Sequence, residues 1–284
     1  MVTVETTKDI FFGLEDCVLC KFIELVSKLL PLPPKIIKFK KPNKDILKYS
    51  PTKTFPVLKA GDDFLTGALP IVKYLIKSSK DESDGVILDN RKILIGKNLK
   101  EEAKVDMWTN YIFASIYPIT AEIEAQLYGK KKFNSEILEM ALKDLMDVLE
   151  PVNEQLMLNA FLTSNNVQLA DLMLTSVLFH CYNDVLTKDK LEKIPNVVRM
   201  FKFVSHLRNF ADIFGEVAPC QKRKEPEPYV EIKEEEEEVE EKKGKKDKKK
   251  NKKDKKEEKP SEPSDEKKEQ GEEQGKKKNK KKNK

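Results

Sequence analysis

Cys17 and Cys20, in the stretch LEDCVLCKFIEL at 14–25, are the residues whose types and spacing most plainly suggest chemistry. A C-x-x-C pair opening a helix after a short strand points to thioredoxin-type redox work. A helix N-terminus favours negative charge, so it should lower the pKa of Cys17. Glu15 and Asp16 act against this, because neighbouring carboxylates disfavour a further negative charge. Val18 and Leu19 also stand where redox pairs usually carry proline. At 100° per residue both cysteines fall off the apolar stripe of their helix, which predicts polar-edge thiols rather than core filler. The balance favours a structural pair over a redox centre, and Cys17 is the residue to test.

Other chemistry-bearing types are sparse. His180 and His206 are the two histidines, and neither has companions at metal-ligand spacing. Arg199 in PNVVRMF is expected to brace helix ends. Trp108, Tyr111, Phe113 and Tyr117 lie at helical spacing and read as core and interface. No P-loop, G-x-G-x-x-G or zinc pattern is present.

Residues 1–80 read as a compact α/β unit in the order β-α-β-α-β-β-α. DIFFG (9–13) is a strand and the segment from Cys17 a helix, stopped by Pro31, Pro33 and Pro34. KIIKFKK (35–41) is a strand, and NKDILKYSP (43–51) a short capped helix. TFPVLKAGDDFLTG (54–67) is a hairpin turning near Gly61-Asp62, and ALPIVKYLIKSS (68–79) a helix. A polar connector follows over 81–98. From 99 to 221 the apolar spacing is helical, with a kink predicted at Pro118.

From 222 to 284 the composition changes. That segment holds 25 Lys+Arg against 20 Asp+Glu from residue 221 onward, while residues 1–220 carry 29 of each. The net charge of +5 therefore belongs to the tail. With no large apolar residue beyond Val239, nothing offsets the entropy of ordering, and the tail is expected to be disordered. Lys245, Lys246, Lys248, Lys249, Lys250, Lys252 and Lys253 are candidates for weak, salt-sensitive RNA or ribosome contact. The acidic run Glu234–Glu238 competes for them, so a self-screening, solubilising polyampholyte is an equal reading. Four scattered cysteines exclude a disulfide scaffold. The sequence shows no signal-peptide h-region and no apolar run of membrane-spanning length, which predicts a cytoplasmic protein without a membrane partner.

This α+β layout, a thioredoxin-like domain leading into an all-helical one, resembles the glutathione transferase superfamily. Phe55-Pro56-Val57 matches the strand-opening proline, which is cis in that superfamily. FLTSNNVQLADLMLTSVL (161–178) resembles the helix start of its second domain, where a capping residue precedes Leu-Ala-Asp. Gln168 stands at the cap position ahead of Asp171, so weaker capping, or capping moved to Asn165 or Asn166, is expected. Within the superfamily, IPNVVRMFKFVSHLRNFADIFGEVAPCQK (194–222) and EEAKVDMWTNYIFASIYPI resemble the elongation factor 1 gamma family, as does a lysine-rich segment directly after the fold.

The resemblance implies a glutathione site at the start of the helix after the hairpin, built from an acidic or amide residue followed by Ser. Aligned on Ile71, Tyr74 and Leu75, those positions are Gly67 and Ala68. Losing two polar anchors costs roughly 1.5–3 kcal/mol for each charge-assisted bond. Backbone contacts beside Pro56 remain, yet no tight glutathione binding and no other cofactor are expected. The catalytic position of such folds falls to Cys17 or Cys20, since no Tyr precedes Tyr49 and no Ser precedes Ser27. The resemblance thus implies a non-catalytic scaffold that docks a nucleotide-exchange subunit of the elongation factor. Transferase-like domains of aminoacyl-tRNA synthetase complexes are a second reading, and a glutathione-dependent thiol transferase using Cys17 a third. The superfamily often dimerises, but no residue pattern here decides for a homodimer.

Overall fold

The computed structural model describes residues 8–79, 90–207 and 209–229. Its first half has β1 (Ile10–Leu14), α1 (Val18–Lys28), β2 (Lys35–Phe39), α2 (Lys44–Leu47), β3 (Val57–Ala60), β4 (Asp63–Thr66) and α3 (Ala68–Ser78). The expected element order is therefore present. The sheet runs β2-β1-β3-β4, with β1 and β2 parallel and the other pairs antiparallel. A parallel pair needs a crossover, and α1 provides it. Asn43 caps α2 by accepting from the Asp45 and Ile46 amides.

The second half contains α4 (Asn90–Ile95), α5 (Leu99–Tyr111), a π-helical turn (Ile112–Ile116), α6 (Tyr117–Leu127), α7 (Ser135–Leu158) and α8 (Leu169–Asp184). After these come α9 (Lys188–Leu191), α10 (Pro195–Ser205) and α11 (Phe210–Phe214). The short α4 lies in what reads from sequence as a plain connector, where Leu94 is buried. At Pro118 the expected break takes the form of the π turn just before it. Proline cannot donate to the carbonyl four residues back, and the wider turn relieves that clash within one continuous rod from Leu99 to Leu127.

The core runs unbroken through both halves. Helix α8 is buried nearly all round, as suits a central helix. Helix α1 is also enclosed on most sides, packing on β1, α3, α8 and α11. Two ion pairs tie α3 to α5, Lys73 to Asp106 at 2.8 Å and Lys77 to Glu102 at 2.6 Å.

The start of the tail needs correction. Residues 222–229, read from sequence as tail, lie as an extended strap against the helical half. The Lys224 amide donates to the Asp184 carbonyl at 2.8 Å, and the Glu227 amide to Leu127 at 2.9 Å. The Lys224 ammonium sits 3.7 Å from the Tyr128 ring centroid. A Cβ on Gly129, at φ +63°, would stand 2.5 Å from the Pro228 carbonyl oxygen. The strap is held by backbone bonds and aromatic contact rather than by a run of apolar side chains, so hydropathy patterning misses it. The rest of the expected disordered tail, including Lys245–Lys253, lies outside the described residues, as do residues 80–89 of the connector.

Candidate functional site

Strand register gathers the residues singled out by sequence. Phe12 pairs with Val57, and Val57 with Thr66. The segment after β1, the turn before β3 and the step from β4 into α3 therefore meet at one end of the sheet. Cys17, the Phe55-Pro56 pair and Gly67-Ala68 all lie there. The Phe55-Pro56 bond is cis, and Phe55 packs 5.9 Å from Phe39. Gly67, at φ +86°, is the N-cap of α3 and Ala68 its buried first residue. No side chain at either position presents a polar atom to a ligand.

Cys17 is the N-cap of α1, in extended conformation at φ −92° and ψ 116°, and Cys20 is the third helical residue. An N-cap side chain folds over the third residue of its helix, which is the geometry of a capping box. Thiols stand at both places in α1, and the Cys17 side chain makes no capping hydrogen bond. The Cys20 thiol first, then the Cys20 and Leu19 amides, bring the Cys17 pKa down to about 7 against the opposing effect of burial. The Cys17 thiol, with burial, drives Cys20 far upward.

Two expectations about this pair fail. Cys20 is 3% exposed and belongs to the core, because α1 is enclosed rather than lying on a surface with one polar side. Glu15 and Asp16 are exposed, and solvent screens them. The carboxylate that opposes the Cys17 thiolate is Glu124 of α6. Tyr117, the first residue after the π turn, faces the same region. Burial first, then the Cys17 charge, moves its phenol up to about 12.

A cavity of about 300 Å³ opens near the start of α1, and neither Cys17 nor Cys20 lines it. Asp16 and Lys21, which bracket the Cys17–Cys20 segment in the chain, form one wall. Glu124, Tyr128, Lys130 and His180 form the other, and Glu227 of the strap closes one side. Tyr128 donates to Asp184 at 2.5 Å, and its oxygen lies 3.0 Å from His180 Nδ1. Burial, then Lys21, pulls the His180 pKa down to about 4. His180 is therefore neutral at pH 7 and braces the wall. Sequence reasoning missed Lys21, Glu124, Tyr128 and Lys130. Lys21 and Glu124 left a trace as charged residues inside otherwise apolar helices, whereas Tyr128 and Lys130 lie in the turn after α6.

The other singled-out residues hold structure. Arg199 donates to the Leu156 carbonyl at 2.6 Å and the Asn159 carbonyl at 3.0 Å, bracing the end of α7 as expected. Tyr111 donates to Val148 at 2.8 Å, Trp108 meets Tyr111 edge-on, and Phe113 stacks on Tyr117. His206 sits against the Lys202 carbonyl. The cap of α8 does not move to Asn165 or Asn166. The Asp171 carboxylate accepts from the Gln168 amide at 2.8 Å and the Leu162 amide at 2.9 Å, while Gln168 Nε2 donates to the Ile93 carbonyl at 3.0 Å. Among the described residues, no three His, Cys, Asp or Glu side chains gather as metal ligands, and no helix is long and apolar enough to cross a membrane.

Comparison with known proteins agrees with this geometry. The models for the Glutathione S-transferase N-terminal domain and the Glutathione S-transferase C-terminal domain match residues 11–83 and 116–207. Elongation factor 1-gamma 2 of Oryza sativa subsp. japonica is 27% identical over 191 residues, covering 64% of this chain and 43% of the relative. Elongation factor 1-gamma of Danio rerio is 27% identical over 130 residues, covering 46% and 29%. The chain thus spans less than half the length of these relatives. Among solved structures, the GST-like domain of elongation factor 1-gamma from Saccharomyces cerevisiae superposes with a TM-score of 0.65 at 19% identity, covering 77% of this chain and 98% of that one. Glutathione transferase F7 from Populus trichocarpa gives 0.63 at 19% identity, covering 73% and 99%.

Proposed function

The chain belongs to the glutathione transferase superfamily, and from that premise we propose that it is a non-catalytic interaction subunit of the translation elongation machinery. The observation that carries this reading is the step from β4 into α3. The fold is kept, but Gly67 and Ala68 offer no polar side chain where the superfamily grips glutathione. Likeness to the elongation factor 1-gamma proteins supplies the setting. In this role the folded body docks a nucleotide-exchange subunit in the cytoplasm. The lysines at 245–253 add weak contact with RNA or ribosomes, whose affinity falls steeply with salt because it rests on released counterions.

The test is affinity purification of the tagged full chain from its own cells, followed by mass spectrometry and by passage over glutathione resin. Elongation factor exchange subunits should co-purify, and the chain should flow through the resin. Recovery of aminoacyl-tRNA synthetases instead would move the chain to that assembly. Retention on glutathione together with turnover of a glutathione conjugate would overturn the scaffold reading.

A further inference from the structure

Beyond the scaffold role, we propose that one face of the sheet binds single-stranded nucleic acid. Tyr49 supplies a stacking platform there, and Lys35 and Lys59 supply the phosphate contacts. This surface belongs to the folded body and does not depend on the lysine-rich segment at 245–253. Charge is concentrated in the part of the chain that builds it. Residues 35–59 hold eight lysines against one acidic residue, Asp45, although residues 1–220 as a whole are neutral. Lys38 pairs with Glu24 of α1 at 3.0 Å, and Lys48 with Asp45 at 3.6 Å. Among the described residues, no carboxylate lies within ion-pairing distance of the other six.

Strand register sets the key groups in a line. Lys35 of β2 lies opposite Ile10 of β1, Ile10 opposite Lys59 of β3, and Lys59 opposite Phe64 of β4. Directly paired residues share a face of the sheet. Neighbouring strands lie about 4.8 Å apart, so the two lysines stand about 10 Å from each other, on either side of Ile10. Lys38 falls on the other face and reaches α1, which leaves the line from Lys35 to Phe64 facing away from that helix. Phe64 extends the line by stacking on Tyr49, with 3.8 Å between ring centroids and 3° between planes. Tyr49 is 44% exposed, and the Lys48 ammonium stands 5.3 Å from its centroid. Asp63, at the hairpin, pairs with Ala60 and so takes the face opposite to Lys59.

Every base has a π face that stacks on an aromatic ring, so lysines beside an exposed aromatic hold a single strand with little regard to its sequence. A duplex keeps its bases stacked on one another and can use only the lysines. The line lies two residues along each strand from the level of Phe12, Val57 and Thr66. It is therefore displaced from Cys17, Pro56 and Gly67, and from the place where the superfamily grips glutathione.

The experiment irradiates the full chain with oligo(U) of about twelve residues in about 0.3 M salt, where contacts resting on charge alone are weak. Cross-linked tryptic peptides are then mapped. Cross-links should fall in residues 49–53 or 60–73, the peptides that carry Tyr49 and Phe64. In fluorescence anisotropy at the same salt, Tyr49→Ala should weaken binding about fivefold or more, whereas Tyr49→Phe keeps the ring and should change it less than about twofold. Lys35→Ala combined with Lys59→Ala should reduce the salt slope by about 1.4. Duplex RNA of the same length should bind about tenfold more weakly than oligo(U). Cross-links confined to residues 230–284 would overturn this surface while leaving the tail contact of the proposed function standing. Duplex binding as tight as oligo(U), or wild-type affinity in Tyr49→Ala, would overturn the stacking platform. An unchanged salt slope in the lysine variant would overturn the phosphate contacts. The wild-type cross-links and the lysine variant decide the matter even if Tyr49→Ala fails to fold.

Discussion

Helices α1 and α8 carry paired side chains at the same two positions, but α8 closes a capping box and α1 has no side-chain cap. At α8 the pair is Gln168 and Asp171, and the carboxylate is fully buried with two backbone amides donating to it. At α1 the pair is Cys17 and Cys20. Sulfur is a weak acceptor, and the Cys17 side chain makes no capping hydrogen bond. One N-terminus fixes the loop from Leu162 to Gln168 and the neighbouring Ile93 carbonyl. The other leaves its first amides without a side-chain cap.

The largest effect that would break this contrast is on stability. Asp171→Ala removes two buried bonds to a charged group and should cost about 3 kcal/mol, read by urea denaturation. Cys17→Ala should cost under about 1 kcal/mol. Equal losses would mean that the two termini bear the same structural weight.

Acid titration sharpens the comparison. Burial raises the Asp171 pKa from 3.8 to about 6, so its contribution to stability falls as pH rises across that window. His180 behaves oppositely. Its pKa falls from 6.5 to about 4, so its contribution is complete above 6.5 and is lost as pH drops toward 4. Each amounts to about 3 kcal/mol, and in the wild type they offset each other. His180→Asn should remove one of the two, so that between pH 4 and 6 the variant loses stability with rising pH relative to wild type. Parallel stability curves for the two proteins would refute the assignment.

Two smaller effects complete the series. Arg199→Ala leaves the Leu156 and Asn159 carbonyls without their guanidinium and should cost about 1–2 kcal/mol in the same unfolding assay. Gly67→Ala should cost about 1 kcal/mol, from the positive φ alone, because a Cβ there meets only Pro70 at an ordinary 3.5 Å. A larger loss would mean that the α3 N-terminus is packed more tightly than either α1 or α8.

The element order of the first half was legible because each element carries its own punctuation. Pro31, Pro33 and Pro34 end α1, Asn43 opens α2, and Gly61-Asp62 turns the hairpin. That Gly67 and Ala68 bring no polar side chain to the start of α3 was legible too, since this holds in any fold. Local pattern failed where a helix is enclosed from several directions. The buried setting of Cys20 follows from packing against β1, α3, α8 and α11, which a one-stripe reading of α1 does not contain.

By itself, the sequence determined the α+β order, the thiol pair at the start of α1, the bracing role of Arg199 and the lack of polar side chains at Gly67 and Ala68. These depend on residue type and on neighbours a few positions away. Tertiary structure alone decided the strap over 222–229, the cavity wall of Glu124, Tyr128, Lys130 and His180, and which carboxylate acts on Cys17. Glu15 and Asp16 adjoin Cys17 in sequence but lie in water, while Glu124, more than a hundred positions away in the chain, acts on it from a buried position. Charge interactions depend on distance through space and on the medium between the groups, and neither is written in linear order.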